Sequence, residues 1–460
     1  MAKLTKRGKV VIACAVFLYV LVSAQIGSWK MKNNFYKGFK TRLPITSNTK
    51  DINLKQFQSE NLRQQSVASL RSQLTLQFPY DASQPMPQRV WQTWRTALDS
   101  PKMSPEFRRF SGLWSEAVAE QQFGEYALVP DSHMSSLLQN LYGAVPQVIQ
   151  AFDSLPLPIL KADFFRYLIL YARGGIYSDM DTYPLKPLDS WPSVALDEKP
   201  HARLPIQYRG VQPESIVSAP EPGFVAGIEA DPDRFDWNEW YARRIQFCQW
   251  TIQSKPGHPL LRELIINITA TTLASTNINS NVQAPAFILD EDHKSDYLVN
   301  CRDKRRNDDN FPAQQKKTSK NVDGTDTMNW TGPGIFTDAI FDYINNLVQT
   351  NTDISIINNN LGADHQGGSK TQQFYRKITQ GLESSATFVK EFFTLIEEPV
   401  MIDDVMILPI TSFSPGVNQM NAKMDDDKMA FVKHMFEGSW KGDEATRKKT
   451  SQQQVSGDDV

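Results

Sequence analysis

Apolar and polar positions change their rhythm several times along the chain. From Val10 to Gly27 they do not alternate at all: VVIACAVFLYVLVSAQIG carries no charge. As a helix at about 1.5 Å per residue it reaches roughly 27 Å, enough for a thin bilayer. Lys3, Lys6, Arg7 and Lys9 precede it. That asymmetry keeps residues 1–9 cytoplasmic and sends the remainder into a lumen. A cleaved signal peptide is the other reading, because Val22 and Ala24 suit a small-residue cleavage site. Residues 28–85 are rich in Lys, Gln, Asn and Ser and read as a stem. Within them NLRQQSVASLRSQLTLQF sets Leu62, Val67, Leu70 and Leu74 near one helical face.

Ordered patterning starts at RVWQTWR, 89–95, a short strand-like run behind two prolines. Helix and strand signals then alternate to about Trp440, which predicts an α/β layer fold over 86–440. Residues 291–328 interrupt it with a polar, charged, turn-rich surface insertion. Residues 441–460 are low in complexity and are expected to be disordered.

Composition excludes some functions. The net charge is -2 with 22% charged residues, so no basic field recruits nucleic acid. Ten tryptophans and 40% hydrophobic residues argue for a packed core. Three cysteines are too few for a disulfide scaffold, although Cys248 and Cys301 would sit in a disulfide-permissive lumen.

The chemistry concentrates in PILKADFFRYLILYARGGIYSDMDTYPLKPLDSW, 158–191. Pro158 suits a helix start, and Gly174 or Gly175 a left-handed stop. At 100° per residue Asp163, Arg166 and Arg173 project into one narrow sector, while Phe164, Leu168 and Tyr171 form another stripe. IYS, 176–178, then reads as a brief strand ending at Asp179 and Asp181, where open α/β sheets bind ligands. In an extended chain those two carboxylates face the same side. Close together they repel. A divalent cation relieves the conflict, and oxygen ligands suit Mg²⁺ or Mn²⁺ bridged to a diphosphate.

The array Asp163, Arg166, Gly174, Gly175, Tyr177, Asp179, Asp181 resembles the donor-site signature of glycosyltransferase family 32, the sugar transferases with a DXD motif. The likeness runs from about Val90 to Trp440 and includes fungal Golgi enzymes that add α-1,6-mannose to N-linked core glycans. It implies a GT-A-type Rossmann-like domain on a single-pass type II Golgi anchor, with the catalytic domain luminal. The donor would be GDP-mannose, the acceptor an N-linked oligomannose glycoprotein, and the ion Mn²⁺ with Mg²⁺ as an alternative. Asp163 and Arg166 would contact the donor sugar, and Asp179 and Asp181 the metal and diphosphate. Without the likeness, Asp163 and Arg166 are equally an i,i+3 surface ion pair.

Other segments follow the same resemblance. VWQTW would lay Trp91, Thr93 or Trp94 along the nucleotide base, or pack them in the core. NWTGPGIFTDAIFDYI, 329–344, reads as a loop feeding a helix, with Thr331 and Gly332 near the donor or acceptor. In HMFEGSWK, 434–441, His434 would be the third metal ligand, with Ser439 and Trp440 at the diphosphate. Asp403 and Asp404 in MIDDVMILP are either catalytic or a turn. Asn267 and Asn329 begin glycosylation sequons. Two rivals stand beside transfer: a phosphohydrolase with Asp179 as nucleophile, and a non-catalytic subunit of a Golgi transferase complex.

Overall fold

The computed structural model describes residues 70–194, 222–232, 235, 237, 240–277, 327–350, 356–358 and 388–437. The anchor segment 10–27, the stem to residue 69, 291–326 of the insertion, Cys301, Ser439, Trp440 and the tail lie outside them. No helix among the described residues is long and apolar enough to cross a membrane. All described residues fall in one compact unit, Gln65–Val460.

Eight strands make one mixed sheet in the order β2-β1-β3-β6-β5-β9-β8-β7. They are β1 (Arg89–Trp94), β2 (Glu125–Pro130), β3 (Gly175–Ser178), β5 (Phe224–Ala230), β6 (Gln246–Ser254), β7 (Ile356–Asn358), β8 (Val400–Ile402) and β9 (Val405–Leu408). A second, two-stranded sheet pairs β4 (Thr182–Pro184) with β10 (Val432–His434), antiparallel. β1 is parallel to β2 and β3, and β5 is parallel to β9. β6 lies antiparallel between β3 and β5. Strands β1, β2, β3, β5 and β9 therefore run the same way, and their carboxyl ends share one edge. The α/β layer architecture expected for 86–440 is met.

Alternation splits the core into two clusters. Trp91, Tyr177, Phe224 and Ile407 face one, while Val90, Ile176, Val225 and Met406 face the other. The first is covered by α3 (Asp131–Tyr142), α4 (Pro146–Ser154), α5 (Pro158–Arg173), α6 (Pro259–Asn277) and α8 (Pro333–Thr350). The second packs against α2 (Pro105–Glu120), whose Ser104 hydroxyl caps the Phe107 N–H at 3.2 Å.

Residues 70–85 do not behave as the end of a stem. α1 (Leu70–Gln77) buries Leu70 and Leu74 completely. Arg71 makes a two-pronged ion pair with Glu263 on α6, at 2.8 and 2.9 Å. Its polar composition hid this, because the polar residues are paired within the fold rather than solvated. At the far end of the insertion, Thr327 and Met328 already belong to α7 (Thr327–Trp330), which feeds α8 through Gly332.

α5 is buried almost all round, from Leu160 to Tyr171. It ends at Gly174, φ 66°, whose N–H returns to Leu170 O at 2.8 Å. Gly175 follows at φ 100°, and a Cβ there would stand 2.4 Å from Arg89 O. The glycine pair thus stops the helix and lets β3 lie against β1.

Candidate active site

The site opens at the carboxyl edge of β3. Asp163 and Arg166, one turn apart on α5, point under that edge and are 3% exposed each. Their ion pair, 2.8 Å, is a buried one and not the surface pair that spacing allows. Arg173 shares their angular sector but is exposed. Arg166 also reaches Asp179 Oδ1 at 3.4 Å and lies over the Tyr177 ring, 5.0 Å from its centroid. Tyr177 donates to Asp179 Oδ1 at 2.8 Å and shares a 2.9 Å hydrogen bond with Thr93. Thr331, completely buried on the turn before α8, donates to Asp163 Oδ2 at 3.2 Å. One guanidinium therefore stands between a buried carboxylate, Asp163, and a half-buried one, Asp179, on one connected network.

β6 completes this network through a bulge. Ala226 pairs with Ile252, but Ile228 pairs with Phe247, so between these pairs one residue of β5 faces four of β6. The extra chain aims Gln249 to one side of the sheet and Trp250 to the other. Gln249 donates from Nε2 to Asp163 Oδ1 at 3.3 Å, and its backbone carbonyl accepts from Arg166 at 3.0 Å. The Tyr167 hydroxyl lies within hydrogen-bond reach of two carbonyl oxygens, Gln249 Oε1 and Thr331 O, and its one proton serves either. On the far side, Trp250 O accepts from the Asp179 N–H at 2.8 Å. Gln92 donates to Asp179 O at 2.9 Å. Sequence reasoning missed Gln249, Tyr167, Trp250 and Gln92. The available signal was three glutamines in QFCQWTIQS, a strand that is buried at all nine positions.

Asp181 belongs to a second group. His434 on β10 places Nε2 3.3 Å from Asp181 Oδ2. Met435 N–H donates to Asp181 O at 2.9 Å, and Glu437 N–H to Asp181 Oδ2 at 3.1 Å. His434 Nδ1 is buried and has no hydrogen-bond partner.

Electrostatics separates the carboxylates. Burial pushes Asp163 up to about 7, even though Arg166 pulls it down, because Asp179 adds repulsion. Asp179 is also raised, by burial first; Arg166 opposes that and the neighbouring Asp181 reinforces it. Burial acts to raise Asp181 too, but the His434 hydrogen bond and charge and the Glu437 N–H outweigh it and hold it below the usual carboxylate range. Arg166 stays charged: burial works against it, but Asp179, Tyr177 and Asp163 more than compensate.

The remaining predicted residues lie elsewhere or serve the scaffold. Trp91 is a core side chain whose indole N–H is bound to Gly174 O at 3.0 Å. Trp94 stacks against Phe107, ring centroids 4.3 Å apart. Asp403 and Asp404 form the two-residue turn between β8 and β9, before β9, so they sit at the sheet edge opposite Asp179. There Asp404 accepts from Tyr80 at 2.8 Å, contacts His258 at 3.1 Å and accepts from Tyr343 at 3.1 Å. Of the two catalytic-or-turn readings, the turn is the one the fold contains. Asn329 accepts at Oδ1 from the buried Arg243 at 2.9 Å, and its sequon threonine is Thr331, already bonded to Asp163. Asn267 lies within α6, and its sequon residues Ile268 and Thr269 are completely buried. Cys248 is a free, buried thiol.

A family model described as a glycosyltransferase sugar-binding region containing a DXD motif matches residues 106–196, the stretch from α2 through Asp163, Arg166, Asp179 and Asp181. The initiation-specific alpha-1,6-mannosyltransferase of Saccharomyces cerevisiae is 49% identical over 467 residues, 95% of this chain and 96% of that protein. The proteins of the same name from Candida albicans and Schizosaccharomyces pombe are 39% and 36% identical, over 96% and 85% of this chain and 94% and 72% of theirs. With its acidic pair at the strand end and this likeness along nearly its whole length, the chain belongs to the DXD glycosyltransferases, in the branch of the initiation-specific alpha-1,6-mannosyltransferases.

Proposed function

We propose that this transferase moves mannose from GDP-mannose to an N-linked oligomannose core in α-1,6 linkage, with Mn²⁺ at Asp179, Asp181 and His434. The chain would act in the Golgi lumen, held by residues 10–27 as a type II anchor. The observation that carries the reading is the double arrangement at one strand end. Asp163, Arg166, Tyr177 and Asp179 form one closed polar network, and Asp181 with His434 forms an adjoining pair.

The donor set of two carboxylates and an imidazole suits Mn²⁺. Among the described residues no three such side chains converge into a ready cage. Asp181 and His434 are in contact, while Asp179 faces Arg166 and Tyr177. Asp181, held ionised, and the His434 ring, whose Nε2 faces Asp181 and whose Nδ1 has no hydrogen-bond partner, fit a cation, and Asp179 needs only to share its carboxylate. A bound divalent ion would neutralise charge gathering on the departing diphosphate.

The chain's own groups do the rest. Arg166 is a fixed, desolvated positive charge beside the reacting bond, worth more there than in water. Asp163, locked by Arg166, Gln249 and Thr331, presents a positioned carboxyl to sugar hydroxyls. Retention, if donor and product are both α-linked, is served by same-face attack with the leaving phosphate accepting the hydroxyl proton. Asp179 has Oδ1 engaged by Tyr177 and Arg166, which leaves Oδ2 as the oxygen it would share with an ion. The likeness to mannosyltransferases is what disfavours the phosphohydrolase reading.

The test is a donor-by-acceptor matrix. Full-length protein, stripped with chelator, is given GDP-mannose, UDP-galactose or UDP-glucose with oligomannose glycans, and Mn²⁺ or Mg²⁺ is restored. Mannose transfer only with GDP-mannose and ion, with the new linkage read by NMR, is the expected result. Transfer that persists without ion, or from a uridine donor instead, rejects the proposal.

A further inference from the structure

Same-face attack brings the acceptor hydroxyl to the leaving phosphate, which the Asp179–Asp181 side of the site would hold. The acceptor's first ring must then rest beside Asp181. Phe436 is the side chain placed there. Its two neighbours are tied to Asp181, Met435 N–H to the backbone carbonyl at 2.9 Å and Glu437 N–H to the carboxylate at 3.1 Å. Phe436 itself has φ 52°, a left-handed conformation that a bulky residue seldom adopts and that structures keep where it is useful. The Phe436 ring lies on His434, centroids 4.0 Å apart, and His434 lies on Trp250 at 4.5 Å.

Phe436 also meets Trp250 edge-on, centroids 5.7 Å apart, so the three rings form one compact cluster. Its inner member, Trp250, is 7% exposed and belongs to the second core cluster, while its outer member, Phe436, is 50% exposed. Met435 beside it is 37% exposed. A single exposed apolar side chain is ordinary, but this one is held on an unfavourable backbone position beside the acids of a sugar site, where a ligand can cover its surface. A pyranose fits that surface. Its polarised C–H face packs on the negative face of an aromatic ring, and its hydroxyl rim stays in water. Through Trp250 the cluster stands on the opposite side of the sheet from Asp163, Arg166 and Gln249. A ring bound on Phe436 would therefore not compete with a donor sugar held by those residues.

We propose that Phe436 is the stacking platform for the accepting mannose ring of the oligomannose glycan, a saccharide subsite beside the metal-binding acids. This rests on the transfer reading above. The experiment uses full-length Phe436→Ala, Phe436→Gly and Phe436→Tyr proteins, glycine being the residue most at ease with this backbone. Acceptor and donor are varied separately, and free oligomannose is followed by saturation-transfer NMR on the metal-free protein.

The expected result is an acceptor KM about tenfold higher in the alanine and glycine variants and restored by tyrosine. Their kcat and donor KM should stay within about twofold of the parent. The glycan signals should weaken in the same two variants. A rise in donor KM, or a fall in kcat with acceptor KM unchanged, overturns the proposal and gives the ring to the donor side. Unchanged kinetics and unchanged NMR overturn it as well. If the parent protein turns over no GDP-mannose, the transfer reading has failed instead. The NMR arm then decides the platform alone, for it if glycan binding depends on Phe436 and against it if not.

Discussion

His434 Nε2 stands 3.3 Å from Asp181 Oδ2, joining β10 to the loop between β3 and β4 across more than half the chain. The antiparallel register of His434 with Thr182 makes the contact unavoidable. Replacing Asp181 by Ala should abolish mannosyl transfer and leave the unit Gln65–Val460 folded. Replacing His434 by Ala should raise the Mn²⁺ concentration needed for half-maximal rate by at least the roughly 10–100-fold that losing an outer-sphere partner costs. An ion titration of chelator-stripped protein reads both, and near-normal turnover by the Asp181 variant would remove the acidic pair from the mechanism.

Arg166 serves two carboxylates at once, the buried Asp163 at 2.8 Å and the half-buried Asp179 at 3.4 Å. Its loss strands both, and breaking a buried pair in this way costs about 3–5 kcal/mol. The loss should depend on pH. Asp163 already sits at about 7 with Arg166 beside it, and without that charge it moves higher and stays neutral in mild acid. Arg166→Ala should therefore be clearly less stable than the parent at pH 8 and closer to it at pH 6. Urea unfolding at the two pH values checks this; an equal loss at both would mean that the two carboxylates are not what makes Arg166 matter.

The strand period expected of Asp179 and Asp181 does not hold, since the chain turns at Met180–Asp181 and the two carboxylates take different partners. The Asp163–Arg166 partnership was legible because it follows from a local period, three residues apart on a helix. Gln249 was not, because a bulge of β6 aims it, and a strand's alternation says nothing of where register slips. His434 came only through likeness to a family, since its contact is made by a β10–β4 pairing between segments with no shared period. The turn at Asp403 and Asp404 was one of two open readings, and the parallel run of β9 with β5 is what places it at the wrong edge for chemistry. The arm at 70–85 was misassigned because composition counts charges without knowing which of them are paired.

That arm yields a further expectation. Glu263 accepts from Arg71 at 2.8 Å and from Arg262 at 2.9 Å, so it is the shared acceptor of two buried guanidiniums. Glu263→Ala should lower Tm more than Arg71→Ala, which leaves Glu263 its second partner. A protein starting at residue 86 lacks α1, Tyr80 and the Lys255 contact to Ala82 O, and should express as a less stable, aggregating fragment beside one starting at residue 65. Thermal unfolding of the four proteins tests the order. Equal Tm for the two fragments would return residues 70–85 to the stem.

Glu229, near the end of β5, holds a carboxyl pushed up to about 8 by burial, against a lowering influence from Gln246, and its Oε2 is buried with no hydrogen-bond partner. The unfolded chain releases this proton near the ordinary glutamate value, about 4.3. Between those two values the folded protein binds the extra proton, so stability falls as pH rises from about 4.3 towards 8. Above that range the carboxylate is charged in both states and the full penalty is present. Gln keeps the shape and is neutral throughout. Glu229→Gln should therefore match the parent near pH 5, exceed its Tm at pH 8.5, and show a flatter Tm profile between. It should also ease the Cys248 thiol, which burial and the Glu229 charge together push upward. Thermal unfolding across pH 5–8.5 decides it: parallel profiles would mean that the half-buried Glu229 is ionised and solvated in the folded protein.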